Sequence, residues 1–180
     1  MLLIAFIPVL LYLFLEFARR DPIKEAKKNR GSSMLIGSVF AWMFIIPTII
    51  HLFVHVWLLP TYTIAVGVFI SFGGVWIRYA AMAMLGRFYS RNVGIQEKHE
   101  LIQTGWYRLI RHPGYLGTCL TFLGFALATA YSLSVLFDGL LFFSAYTYRI
   151  RVEETVLVAH FGDAYVRYQQ KTWRLIPFIY

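Results

Sequence analysis

Three apolar runs, at residues 1–17, 34–59 and 62–85, constrain this chain more than any other feature. Each is rich in Leu, Ile, Phe and Val, and each approaches or exceeds the roughly 20 residues that a helix needs to cross a bilayer. In hydrocarbon a backbone must satisfy its own N–H and C=O groups, which a helix does. Two further apolar segments, 115–130 and 133–148, are short for full spans and are joined at Tyr131-Ser132. They read as a tightly packed helical hairpin, tilted or partly re-entrant. Hydrophobic residues make up 59% of the chain and charged residues 14%, which excludes an ordinary soluble domain. The fold class expected is therefore an all-α integral membrane protein of about five transmembrane helices.

The charges orient it. Arg19, Arg20, Lys24, Lys27, Lys28 and Arg30 lie between the first two runs, and Arg87, Arg91, Lys98, Arg108 and Arg111 lie between the third and fourth. Arg149, Arg151, Arg167, Lys171 and Arg174 fall in the C-terminal region, whereas residues 58–63 and 129–134 carry no cation. The positive-inside rule places all three basic segments in the cytoplasm, with the N-terminus outside and the C-terminus cytoplasmic. Topology thus accounts for the net charge of +8 without nucleic acid. Arg78 stands apart, inside a span.

Local signals divide the chain further. Residues 1–17 lack the basic start and cleavage site of a secretory signal. Residues 19–33 read as a polar inside loop with a short interfacial helix, Pro47 as a kink in the second span, and Pro60-Thr61 as a tight outer turn. Gly67, Ser71, Gly73 and Gly74 offer small surfaces for close helix packing. The long polar stretch 86–113, with its aromatics and apolar pairs, reads as an ordered loop. The last apolar segment runs into 149–160 without a breaker, so one helix leaves the membrane carrying Arg149, Arg151, Glu153 and Glu154; residues 165–170 then form an amphipathic turn. No repeat or linker splits the chain. It is a single domain, 1–180, in which 1–85 supply three helices and 86–180 a loop, a hairpin and a cytoplasmic C-terminal helix.

Two constellations carry chemistry. The run 105–117 crowds Arg108, Arg111 and His112 with aromatics at the edge of apolar sequence, where charge needs a partner. Pro113 biases His112 towards extended geometry, so a helix starts there and its free N–H groups suit an anion. Arg149 and Glu153 share a helix face one turn apart. On a solvated helix that spacing is an ordinary salt bridge; where a helix emerges from a bilayer it can hold an anionic substrate group and an ammonium. His51 and His55 are also four apart, but no third ligand joins them and no metal site is expected. Asp138 and Cys119 read as packing residues, Asp138 alternatively as an interfacial one. No glycine-rich phosphate loop, nucleophile elbow or H-E-x-x-H occurs.

His99-Glu100-Leu101-Ile102 followed by Gly105-x-Tyr107-Arg108-x-x-Arg111-His112-Pro113-x-Tyr115-x-Gly117 resembles the signature of the isoprenylcysteine carboxyl methyltransferases. Arg149-x-x-x-Glu153-Glu154, His160-Phe161-Gly162-x-x-Tyr165-x-x-Tyr168 and Pro177-Phe178-Ile179 resemble the same family's ending. The resemblance covers about residues 96–180, and the wider superfamily includes phospholipid N-methyltransferases. It implies S-adenosylmethionine on the cytoplasmic side, lined by Gln96, His99, Glu100, Leu101, Ile102, Tyr107, His112, Pro113, Gly114 and Tyr115. Glu153 would contact its amino-acid end and Arg149 the substrate carboxylate. The expected partners are membrane lipids and a lipid-embedded small acid or prenylated protein C-terminus. Endoplasmic reticulum and prokaryotic plasma membrane fit equally. Phospholipid amine N-methylation, an NADPH-dependent sterol-type reductase and a non-enzymatic scaffold are the alternatives. Arg149 disfavours the amine, since an ammonium precursor gains nothing from a guanidinium.

Overall fold

The computed structural model describes residues 2–18, 30–54, 58–95 and 99–180; His55, Gln96 and most of the polar loop expected at 19–33 lie outside them. The described residues are helical, in the order α1 (Leu2–Ala18), α2 (Arg30–Phe53), α3 (Tyr62–Leu85), α4 (Pro113–Ala128), α5 (Ser132–Phe161) and α6 (Asp163–Lys171). Short 3-10 turns at Gly86–Phe88 and Gly105–Arg108 interrupt the long loop. Named strands are absent among the described residues; only isolated bridges occur, Leu58 with Tyr131 and Ile110 with Trp173.

Segments Met34–Phe53 and Tyr62–Phe88 are each long and apolar enough to cross a bilayer, while α1 and α4 are shorter apolar helices. The second apolar run leaves the helix at Phe53, six residues before the expected end at Leu59. Leu59 N–H instead donates to Ala130 at 2.7 Å, so the connector at 58–61 and the α4–α5 turn close one end of the bundle together. Large apolar side chains such as Phe14, Trp42, Phe69, Trp76 and Leu140 point outwards. That is a lipid-facing surface, since a water-soluble bundle would bury them.

The interior is aromatic. Phe40 stacks on Phe122 and Phe44 on Phe125, with ring centroids 5.4 Å apart in each case. Tyr12 packs edge-on to Phe122 and its hydroxyl meets Thr118 Oγ1 at 3.0 Å, joining α1 to α4. Asp138, on α5, is fully buried within the fold.

The tightest seam runs between α3 and α4. A Cβ on Gly67 or Gly74 would stand 2.4–2.6 Å from backbone atoms of α4, and one on Gly117 or Gly124 would meet α3 as closely. Ser71 Oγ adds a bond to Thr121 O at 2.8 Å across the seam. Such small-residue faces let helix backbones touch, which in lipid replaces the missing hydrophobic drive. Gly73, expected among them, faces away with nothing near it.

The seam sets Arg78, one turn beyond Gly74, against the start of α4. As expected, that helix starts at Pro113; its cap, His112, has φ −123° and ψ 56°, outside the extended region expected for it. The last helix pair is equally well defined. α5 runs unbroken for 30 residues, about 45 Å at 1.5 Å per residue, and carries Arg149 to Glu154 past the apolar part. Gly162, with φ of +54°, turns the chain into α6, a conformation that a side chain would strain.

Candidate active site

At the end of the bundle away from the 58–61 connector, loop residues 86–95 and 99–112, the start of α4 and the emerging part of α5 border a cavity of about 610 Å³. Its size falls in the usual range for cofactor sites, roughly 300–1,000 Å³.

One wall follows from Pro113. By starting α4 there, it stacks the rings of His112 and Tyr115, 5.3 Å apart and nearly parallel. Tyr115 then reaches α5. Its hydroxyl donates to Glu153 Oε2 at 2.6 Å and accepts from Arg149 Nε at 3.3 Å. Arg149 Nη2 also donates to the Arg91 carbonyl. The one-turn relation read from the sequence is therefore mediated by a tyrosine hydroxyl. Arg149 is buried, while the Glu153 side chain keeps 31% of its exposure at the cavity wall.

A second layer fixes this wall from behind. Glu154 Oε1 accepts from Arg111 Nε at 2.7 Å and lies 3.4 Å from His112 Nε2, and its Oε2 accepts from Arg174 Nε at 3.1 Å. The His112 contact lacks hydrogen-bond geometry, and Nε2 is otherwise unpartnered among the described residues. Burial pushes the Glu154 carboxyl up, but His112 and Arg111 outweigh it and hold it at about 2, well below the usual range. Arg111 Nη1 also donates to Thr172 O and to Gln169 O at 3.0 Å. Backbone bonds from Arg111 N–H to Trp173 O and from His112 N–H to Arg174 O bind the C-terminal segment onto the loop. Tyr168 adds a bond to Tyr107 O at 2.6 Å.

The opposite wall is His99, stacked on Phe88 at 4.9 Å, with Leu101 and Ile102 beside it. Burial and the neighbouring His160 pull the His99 imidazole below its ordinary value, against an upward pull from Glu153. Its buried Nδ1 has no hydrogen-bond partner among the described residues. Glu100 stands at the rim, 3.5 Å from Arg87, with both side chains 69% exposed.

His99, Glu100, Leu101, Ile102, Tyr107, His112, Gly114, Tyr115, Arg149 and Glu153 thus all line one cavity. Pro113 does not: it is buried in the first turn of α4, where it shapes the wall. Of the two histidines four apart in the second apolar run, His51 Nδ1 lies 3.0 Å from Thr129 O at the other end of the bundle, and His55 lies outside the described residues.

A family model described as phospholipid methyltransferase matches residues 62–164. The protein-S-isoprenylcysteine O-methyltransferase of Saccharomyces cerevisiae is 30% identical over 189 residues, covering 94% of this chain and 76% of the relative. The chain belongs to the isoprenylcysteine carboxyl methyltransferase family. The Schizosaccharomyces pombe protein-S-isoprenylcysteine O-methyltransferase is 33% identical over 108 residues, 59% of this chain. A solved eukaryotic intramembrane Ras methyltransferase, an isoprenylcysteine carboxyl methyltransferase, shares the fold with a TM-score of 0.64 over 88% of this chain, at 23% identity. This family member spans only part of its relatives' length: 46% of the fission yeast protein, 55% of the solved chain and 76% of the budding yeast protein.

Sequence reasoning missed the contribution of the first helices. Leu13, Glu16 and Phe17 of α1, Ile36, Gly37 and Phe40 of α2, and Arg78 of α3 all line the same cavity. Arg78, a cation inside an apolar run, was the one available signal; Glu16 gave none.

Proposed function

We propose that this protein transfers a methyl group from S-adenosylmethionine to the carboxylate of a prenylated cysteine or related lipid-linked acid, at the cytoplasmic face of a membrane. The observation that carries the reading is the Arg149–Tyr115–Glu153 unit on one wall of a cavity that Leu13, Phe17, Ile36 and Phe40 also line. A guanidinium and a carboxylate held by one hydroxyl suit two ligands of opposite charge meeting side by side.

The residues present fit the cofactor. Glu153 offers a partly exposed carboxylate for an ammonium, His99 a neutral imidazole with an unpartnered buried nitrogen, and Leu101, Ile102 and Tyr107 an apolar surround. S-adenosylmethionine, when bound, supplies a methyl group activated by a sulfonium. A carboxylate is already ionised near neutral pH, so no general base is required. What remains for the protein is to orient the acceptor and exclude water. Arg149 does the first through a planar fork that lysine lacks. Tyr115 steadies that fork, and Leu13, Phe17, Ile36 and Phe40 take the lipid chain.

The description of the matching family model supports a second reading, N-methylation of a phospholipid amine. One experiment separates the two. Protein in detergent is given labelled S-adenosylmethionine with either a farnesylated cysteine analogue or phosphatidylethanolamine, and label in each product is counted. Label confined to the cysteine ester is expected. Label confined to the amine would replace the first reading with the second, and label in neither would overturn both. The family assignment leaves the reductase alternative without support.

A further inference from the structure

The first helix carries no recognisable motif, yet it places a carboxylate in the site. Glu16 is 6% exposed and accepts from Arg78 through both oxygens, with bonds of 3.0–3.2 Å. Tyr89 closes the triangle: its hydroxyl donates to Glu16 Oε1 at 2.6 Å and accepts from Arg78 Nη2 at 2.9 Å. A desolvated ion pair of this kind contributes little net stability, and apolar residues of equal volume often do as well. Its geometry, which spans α1, α3 and the loop, is the better guide to its use.

The network does not end at the triangle. Two residues after Tyr89, Arg91 Nη1 donates to the backbone carbonyl of Glu16 at 3.1 Å. The segment 89–91 is thereby pinned to α1 at both ends. The Arg91 carbonyl between these anchors and α5 accepts from Arg149 Nη2. Arg149 is thus held from two sides, by Tyr115 of α4 on Nε and by the pinned loop on Nη2.

We propose that Glu16, Arg78 and Tyr89 are positioning residues that set the guanidinium of Arg149 through the 89–91 segment. They act on Arg149 whether its ligand is a carboxylate or another anion, so the proposal stands apart from the choice of methyl acceptor. It also makes α1 part of the working site. Arg78 also packs against the start of α4, where a Cβ on Gly114 would lie 3.0 Å from its Nη1.

The test reads Arg149 directly. Full-length protein in detergent is treated with phenylglyoxal, which modifies guanidiniums, and labelling at each arginine is followed by mass spectrometry. Wild type, Glu16→Gln and Tyr89→Phe are compared, together with their melting temperatures. Tyr89→Phe removes one hydroxyl, leaves the ion pair, and serves if Glu16→Gln does not fold. Arg149 labelling is expected to rise roughly five-fold in a variant that keeps its melting temperature, the weight of about one lost hydrogen bond. Faster labelling of Arg78 with Arg149 unchanged would overturn the proposal. So would equal acceleration at every arginine, which marks general loosening. Turnover gives a second readout: kcat falls in Tyr89→Phe while affinity for S-adenosylhomocysteine holds. Because labelling needs no turnover, an inactive but correctly labelling protein would count against the proposed reaction alone.

Discussion

Tyr115 donates its hydroxyl to Glu153 at 2.6 Å from the first turn of a different helix, 38 residues earlier in the chain. The same oxygen receives Arg149, so one phenol stands between a cation and an anion that share a helix face. A direct ion pair on one helix adjusts freely with its two long side chains. A tyrosine anchored in α4 allows less, because it ties both groups to the separation of two helices. Catalysis that depends on approach geometry gains from such a tie.

Tyr115→Phe removes that tie without opening space. Methyl transfer should fall about ten-fold to one-hundred-fold, the range for a hydrogen bond to a charged group. Melting temperature should change little. Labelled methyl transfer at saturating substrates checks the first expectation, and thermal melting in detergent the second.

Arg149→Ala should abolish transfer with little loss of cofactor affinity, whereas Glu153→Ala should weaken both. Calorimetry with S-adenosylhomocysteine decides between them. Unchanged affinity in Glu153→Ala would remove Glu153 from the cofactor's amino-acid end.

Glu154 links stability to pH. Its carboxyl sits near 2 in the folded protein against an ordinary 4.5, so the folded state holds it ionised more strongly than the unfolded chain does. That stabilisation is complete above about 4.5 and drains away as pH falls towards 2. Glu154→Gln should melt lower at neutral pH and show a flatter loss of melting temperature across that window. Parallel curves for variant and wild type would refute the assignment.

The α3–α4 seam predicts a sharp contrast between neighbouring glycines. Gly74→Val would drive side-chain atoms into the Gly117–Thr121 backbone, where even a Cβ has 2.4 Å. The cost should reach or exceed the roughly 1–3 kcal/mol of ordinary overpacking. Gly73→Ala, with nothing within 4 Å, should be tolerated. Melting temperatures of the purified variants in one detergent provide the comparison.

Much of the molecule was legible in its residues. The apolar runs marked α1 to α4 to within a few residues except at the end of α2. His112-Pro113 marked the start of α4, because proline constrains its own φ and its neighbour's conformation wherever it occurs. The unbroken passage from 133 to 160 marked one long α5. The two quoted blocks marked the lining that the loop, α4 and α5 contribute, though not every residue in them lines the cavity: Pro113 is buried in the first turn of α4. These are local properties, governed by a residue's own torsions and its near neighbours in sequence.

What only the tertiary structure decided was partnership. Glu16 and Arg78 are 62 residues apart, and nothing near either names the other. Gly74 packs and Gly73 does not, because a helix turns about 100° per residue and only one of two neighbours can face α4. Glu154, not Glu153, takes Arg111 and Arg174, for the same reason of facing. The sequence by itself determined which segments are helices, where the polar end lies and which chemistry gathers there. Which charges pair, and which helix supplies the carbonyl or hydroxyl that holds Arg149, follows from how closely α3 and α4 approach and how far α5 extends beyond them.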